Sequence, residues 1–123
     1  MLILLFALIS NSLWATSYDT DNVTLNIPIL KVKNGDSIDY YQLNMTLETN
    51  LDNIYAFNIK DLTLLDKVKE SNDIFNFADN SLNLPKVSII ANGKVIKEFH
   101  ISMDLILIFD GIITLNLKSI NTL

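Results

Sequence analysis

The sequence predicts an all-β fold, a six-stranded antiparallel sandwich or barrel built from two duplicated three-stranded meanders with pseudo-two-fold symmetry. Three observations predict it. Residues 34–62 laid over residues 92–120, a shift of 58, agree at 9 of 29 positions without a gap, where about three matches are expected by chance from an Asn-, Ile- and Leu-rich composition. Apolar residues alternate with polar ones at a period of two, the mark of strands with one buried face. Each copy also carries an Asn-Gly pair between two such runs, which reads as a hairpin.

Upstream of Asn34 the match continues with an offset one residue shorter, Leu25-Asn26-Ile27-Pro28 answering Leu82-Asn83-Leu84-Pro85. The first strand of each copy therefore has its alternation interrupted beside a proline, Leu25, Ile27 and Ile29 giving way to Leu30 and Val32, and Leu82 and Leu84 to Val87 and Ile89. A phase slip next to Pro means a bulge or an edge, because Pro donates nothing to a ladder. Asn34-Gly35 and Asn92-Gly93 follow, and both residue types tolerate the positive φ that a type I′ turn requires at its two central positions. The return strand places Tyr41, Leu43, Met45 and Leu47 on one face in the first copy, and Phe99, Ile101, Met103 and Leu105 in the second. Asp52-Asn53 and Asp110-Gly111 mark a second turn. A third strand follows, with Tyr55, Phe57 and Ile59 in one copy and Ile113, Leu115 and Leu117 in the other.

A three-stranded sheet cannot bury its apolar face alone, whereas two copies can bury theirs against each other. The expected organisation is thus one domain over residues 18–123: repeat 1 at 23–62, a linker at 63–80 and repeat 2 at 81–120. Within the linker, Leu64 to Glu70 could form two turns of helix or a crossing loop, and Ile74, Phe75 and Phe77 could tuck under the sheet. Residues 1–17 are set apart. Leu2 to Ile9 is an apolar run too short to span a bilayer, followed by polar Ser10-Asn11-Ser12 and then Leu13-Trp14-Ala15-Thr16-Ser17. That is the shape of a secretory signal peptide cleaved after Ala15 or Ser17, although no Lys or Arg accompanies the amino terminus. A retained lipid-facing anchor and an N-terminal strand are the other readings of the same run.

Composition narrows the function. With 123 residues, half of them hydrophobic, the chain has room for one core. Net charge is -5, there is no Arg, and the nine Lys are scattered, so neither a phosphate backbone nor an anionic membrane surface finds the basic cluster it would need. The chain has no Cys, so an exported protein of this size is held by its core and strand pairing rather than by disulfides.

Catalytic chemistry has little to work with. His100 is the only His and stands on the outward phase of its strand, opposite Gln42 in the first copy. With no Cys and no second His, a transition-metal site would have to lean on carboxylates. No nucleophile elbow is present. Asp52 and Asp110 are explained as turn residues, and Asp19-Thr20-Asp21-Asn22 lacks the Gly and distal Glu of a calcium loop. Three Gly, each in a turn, leave no phosphate-binding loop. The expectation is no catalytic residue, no metal and no cofactor.

The copies diverge most at one place. Glu48, Thr49 and Asn50 become Ile106, Leu107 and Ile108, so the second hairpin reads Leu105-Ile106-Leu107-Ile108-Phe109, then Asp110-Gly111, then Ile112-Ile113. Continuous apolar residues place hydrophobic side chains on both faces of a hairpin. Leu105, Leu107, Ile108, Phe109, Ile112 and Ile113 are therefore the candidate contact residues, for a second subunit, a partner chain or a donated strand.

The pattern Leu25-x-Ile27-Pro28, Asn34-Gly35, Tyr41-x-Leu43-x-Met45-x-Leu47 and Phe57-x-Ile59 resembles short strand-rich tandem repeats of exported proteins of Gram-negative bacteria, repeats of unknown function. The resemblance covers both copies through scaffold residues and departs from the repeats in its Asn-rich turns and in a second copy that lacks the Tyr. It implies no catalytic residues. The expected function is a non-catalytic exported β-module, a structural, adhesive or assembling subunit in the periplasm, at the cell surface or outside the cell. Its expected partner is a protein or another copy of itself, with no nucleic acid and no membrane span in the mature chain. The alternative is a polysaccharide- or small-ligand-binding module with Tyr40, Tyr41 or Trp14 as stacking platforms.

Overall fold

The computed structural model describes residues 15–67 and 70–123. Eight strands follow one another: β1 (Ser17–Asp19), β2 (Thr24–Asn34), β3 (Ser37–Leu51), β4 (Ile54–Leu64), β5 (Ile74–Asn76), β6 (Ser81–Ala91), β7 (Lys94–Phe109) and β8 (Ile112–Thr122). The six long strands run β2-β3-β4-β8-β7-β6 around a barrel, and β1 and β5 both lie in the remaining gap between β2 and β6. β1 takes one half of that gap, pairing Ser17 with Asn26 and Ser88, and β5 takes the other, pairing Ile74 with Lys31 and Asn83. The result is a closed barrel of seven strand positions, one of them shared by two short strands.

Two expectations are corrected by this arrangement. The fold is all-β but has eight strands, not six, because six would leave one edge of β2 and one of β6 unpaired. It is also not wholly antiparallel, since β1 pairs with β6 and β5 with β2 in parallel. Among the described residues the stretch between β4 and β5 contains no helix. Val68 and Lys69 lie outside the described residues, as do residues 1–14 of the segment read as a signal.

The duplication extends further than identical residues indicate. Register equates β1 with β5 and β2 with β6 at an offset of 57, and each repeat is therefore a four-stranded unit. Main-chain bonds at the strand ends occur in matching pairs. Lys31 N–H donates to Asp73 O at 2.8 Å and Ser88 N–H to Thr16 O at 3.0 Å; Leu47 N–H donates to Val23 O at 2.8 Å and Leu105 N–H to Asn80 O at 2.7 Å; Ile59 N–H donates to Gly111 O at 2.7 Å and Leu117 N–H to Asn53 O at 2.6 Å. The offset becomes 58 inside β7, where Ile89 pairs with Lys97 and Ile90 with Val95, leaving Ile96 as an extra bulged residue.

That bulge explains why the two Asn-Gly pairs make different turns. In the second copy Ala91 pairs with Lys94, so Asn92 and Gly93 are both central, with φ of 53° and 75°, as a type I′ turn demands. In the first copy Asn34 is the last strand residue and pairs with Ser37. The central residues are Gly35 and Asp36, and only Gly35 has positive φ, 62°, the pattern of a type II′ turn. The expected type I′ geometry thus holds for one hairpin only, because sequence identity there is out of step with structural equivalence.

A bulge lies beside each proline, between Ile27 and Leu30 and between Leu84 and Val87; in the first copy it takes in Ile29, which the alternation assigns to the same face as Leu25 and Ile27. In the first, the freed Ile29 carbonyl accepts a hydrogen bond from Ser71 Oγ at 2.5 Å, which ties the linker to β2. The interior is filled from all the long strands, with Ile27, Leu84, Val87, Met45 and Leu115 fully buried, together with Phe75 from β5. Phe75 meets Phe77 edge-on at 4.8 Å between centroids, although Phe77 itself is exposed. The two return strands contribute Leu43, Met45 and Met103 to this core as their alternation predicts.

Candidate functional site

The closed topology sends the two ends of the barrel in different directions chemically. One end carries the Gly35-Asp36 and Asp110-Gly111 turns, the other the Asp52-Asn53 and Asn92-Gly93 turns. At the first end the tip of the β7–β8 hairpin is apolar and uncovered: Ile106, Leu107, Ile108 and Phe109 are 54%, 56%, 50% and 71% exposed, and Ile112 is 37% exposed. Leu105 pairs with Leu115 and Leu107 with Thr114, so Ile106 is a bulged residue. The bulge resets the phase. Ile108 then stands opposite the core residue Ile113, and Phe109 opposite Ile112.

Of the six candidate contact residues, the structure brings Leu107, Ile108, Phe109 and Ile112 together on an open surface. Leu105 and Ile113 belong to the interior instead, the former packed against the core and the latter 7% exposed within it. Ile106, not among the six, joins the surface because its bulge turns it outward. The corresponding bulge in the first copy falls on Glu48, between Leu47 and Thr49, so the same backbone device carries a charge in one copy and an aliphatic side chain in the other.

At the opposite end the barrel interior opens into a cavity of about 300 Å³. Its walls are aliphatic, with Ile101, Leu117 and Ile120 among them, and its polar groups are Tyr18, Tyr55 and Asn50. Burial and the negative charge of Asp19, with a smaller contribution from Tyr55, push the Tyr18 hydroxyl above the usual tyrosine value.

The remaining polar residues have local structural work. His100 Nε2 lies 2.8 Å from Asn83 Oδ1 across the β6–β7 pair. Asp19 accepts from Asp21 N–H at 3.0 Å and from Asn22 Nδ2 at 2.8 Å, and Asp21 accepts from Asn92 N–H at 2.7 Å, so the acidic stretch shapes its own turn and supports a hairpin of the other repeat. Among the described residues no group of three or more His, Cys, Asp or Glu is placed to hold a metal ion. Tyr40, expected to be an open stacking platform, is 6% exposed, and Trp14 lies outside the described residues. Tyr40 therefore offers no open ring face, and Tyr41 is half-buried. Among the described residues no helix is long and apolar enough to cross a membrane.

Asp73 sits where the linker meets β1, its carboxylate accepting from Thr16 Oγ1, with Thr16 itself buried. Burial raises its pKa above the ordinary value of 3.8, the Thr16 bond only partly offsetting it. The folded state therefore holds the proton more firmly than the unfolded chain does, so this group's stabilising contribution is full below about pH 3.8 and is lost as pH rises through the raised folded-state value. Asp73→Asn keeps an acceptor for Thr16 and removes the titration. Its stability relative to the parent is expected to rise with pH from about 4 upward, read as the difference between their melting temperatures across a pH series. A difference independent of pH would show that Asp73 titrates alike in both states.

Compared with known proteins, the chain matches no family model, and no curated protein or solved structure resembles it.

Proposed function

We propose that this chain is a non-catalytic β-module that acts by contact, assembling with copies of itself through the β7–β8 tip. The observation that carries this reading is the exposed apolar cluster of Ile106, Leu107, Ile108, Phe109 and Ile112. A monomer rarely leaves such a contiguous patch uncovered without a use for it. Its position adds weight, since it coincides with the place where the copies diverge from Glu48-Thr49-Asn50 to Ile106-Leu107-Ile108. Asp110 is the only charge between Leu105 and Ile113, so the complementary face must itself be apolar, and the same tip on a second copy meets that requirement in an isologous contact.

The compartment we propose is outside the cytoplasm, in the periplasm, at the cell surface or beyond it. This rests on the signal-like segment and on the resemblance to repeats of exported proteins. Of the two cleavage positions, the one after Ala15 is favoured, because it keeps Ser17 in β1 and keeps Thr16 bonded to Asp73 and Ser88.

Native mass spectrometry of the exported protein tests both statements at once. The expected chain mass begins at Thr16, and the expected species at micromolar concentration is a dimer or larger. Leu107→Ser with Phe109→Ser is expected to return it to monomer while changing fold stability by less than about 1 kcal/mol, as for two exposed positions. A parent protein that stays monomeric at high concentration overturns the assembly reading.

A further inference from the structure

The duplication supplies an internal control for the cavity, since every cavity position has a counterpart at the other end of the same barrel. Tyr18 corresponds to Phe75, Tyr55 to Ile113 and Ile101 to Leu43. Phe75, Ile113 and Leu43 are 6%, 7% and 5% exposed, whereas Tyr18, Tyr55 and Ile101 are only half-buried around an opening. At the closed end these three positions are buried, and at the other they are not. The polar residues at the open end are also specific to it: Tyr18, Tyr55 and Asn50 stand where the closed end has Phe75, Ile113 and Ile108. Hydroxyl and amide groups thus stand at the mouth of this cavity where the other repeat has apolar side chains.

We propose that this cavity binds a small uncharged amphiphile, an aliphatic chain ending in a hydroxyl or carbonyl group, with the chain among Ile101, Leu117 and Ile120 and the head at Tyr18 and Tyr55. The size follows from the volume. About 300 Å³ is on the order of ten water volumes and lies at the small end of ligand sites, which suits a chain of roughly ten heavy atoms. The polarity follows from the lining, apolar walls with a few convergent polar groups being the common form of a small-molecule site. The absence of charge on the head follows from the lining, which includes no Lys, Arg, His or carboxylate to balance a charge, so a charged head would be desolvated without a partner. The site lies at the opposite end from the β7–β8 tip, so it stands independently of the assembly reading.

Titration calorimetry with 1-decanol, and with decanoate as the charged counterpart, tests the proposal. Decanol is expected to bind saturably at one site per chain, and decanoate about tenfold or more weakly. Tyr18→Phe with Tyr55→Phe is expected to weaken decanol about tenfold, through loss of its hydrogen bonds. Ile120→Trp, at a half-exposed position of the wall, is expected to block the site, while Leu62→Trp, its counterpart at the closed end, leaves binding unchanged. The tip variant Leu107→Ser with Phe109→Ser is expected to bind as the parent does. No saturable decanol binding, equal loss in Ile120→Trp and Leu62→Trp, or loss in the tip variant would each overturn the site. Decanoate binding as tightly as decanol would overturn the uncharged head.

Discussion

Ile27→Ala and Leu84→Ala are each expected to destabilise the fold by about 2–5 kcal/mol. Both side chains are 0% exposed, each stands just before a proline bulge, and register makes them structural equivalents: Ile27 opposes Leu43 and Leu84 opposes Ile101. Removing either takes the same amount of hydrocarbon out of a closed interior whose walls are tied by ladders on both sides and cannot collapse readily into the void. The loss is a large part of the roughly 5–15 kcal/mol that a domain of this kind possesses. Denaturant unfolding of the two variants measures it. A near-neutral effect at one position and a large effect at the other would show that the two halves do not share one core equally. The cavity end gives a finer expectation, because Leu84 lies on its wall and Ile27 does not: of the two, Leu84→Ala has the more adaptable surroundings and is expected to fall at the lower end of the range.

The strands that could be read from the chain were those whose apolar residues alternate over enough length to mark a face. Leu43-x-Met45 and Ile113-x-Leu115 predict inward-facing positions, and their residues are in the core. β1 and β5 escaped notice for a physical reason. They are three residues long, their equivalent positions Ser17/Ile74, Tyr18/Phe75 and Asp19/Asn76 share no identity, and each exists only because β2 and β6 leave a gap of seven-position geometry to be filled. Chemical similarity without identity, Tyr with Phe and Asp with Asn, was the one available sign. The Asn-Gly identity misled in the opposite direction, since Ile96 shifts the second hairpin by one residue and makes identical letters non-equivalent. The apolar tip was legible as a run of hydrophobic residues, but which of them would face outward depended on the bulge at Ile106. The cavity was not legible at all. It is a difference between two ends that strand patterning describes identically, visible only once Tyr18 and Phe75 are known to occupy matching places.

Replacing Lys60 and Lys118 together by Val is expected to promote edge-to-edge association, as for an unguarded strand edge. The argument begins from register. Met45 pairs with Ile59 and Asn44 with Asp61, which leaves Lys60 bulged, and Met103 pairs with Leu117 and Ser102 with Ser119, which leaves Lys118 bulged. β4 and β8 pair with each other only from Ile54 to Asn58 and from Ile112 to Asn116. Beyond these segments, residues 61–64 and 119–122 have no second strand partner among the described residues. Each repeat therefore carries an open edge beside exposed apolar residues, Leu62 and Leu64 in one and Ile120 in the other. A bulge twists an edge away from a flat template, and an exposed lysine on it sets a charge against an incoming strand. The two lysines are among the few residues identical in both copies, placed at the same bulge in each. The double substitution takes net charge from -5 to -7, two positive charges being removed. Added net charge by itself opposes association, so aggregation would have to come from the edges. Lys31→Val with Lys33→Val removes the same charge on β2, which is paired on both sides there, and is expected to leave association as in the parent. Light scattering with time distinguishes the two pairs, and equal behaviour in both would show that the bulged lysines do not guard the edges of this barrel.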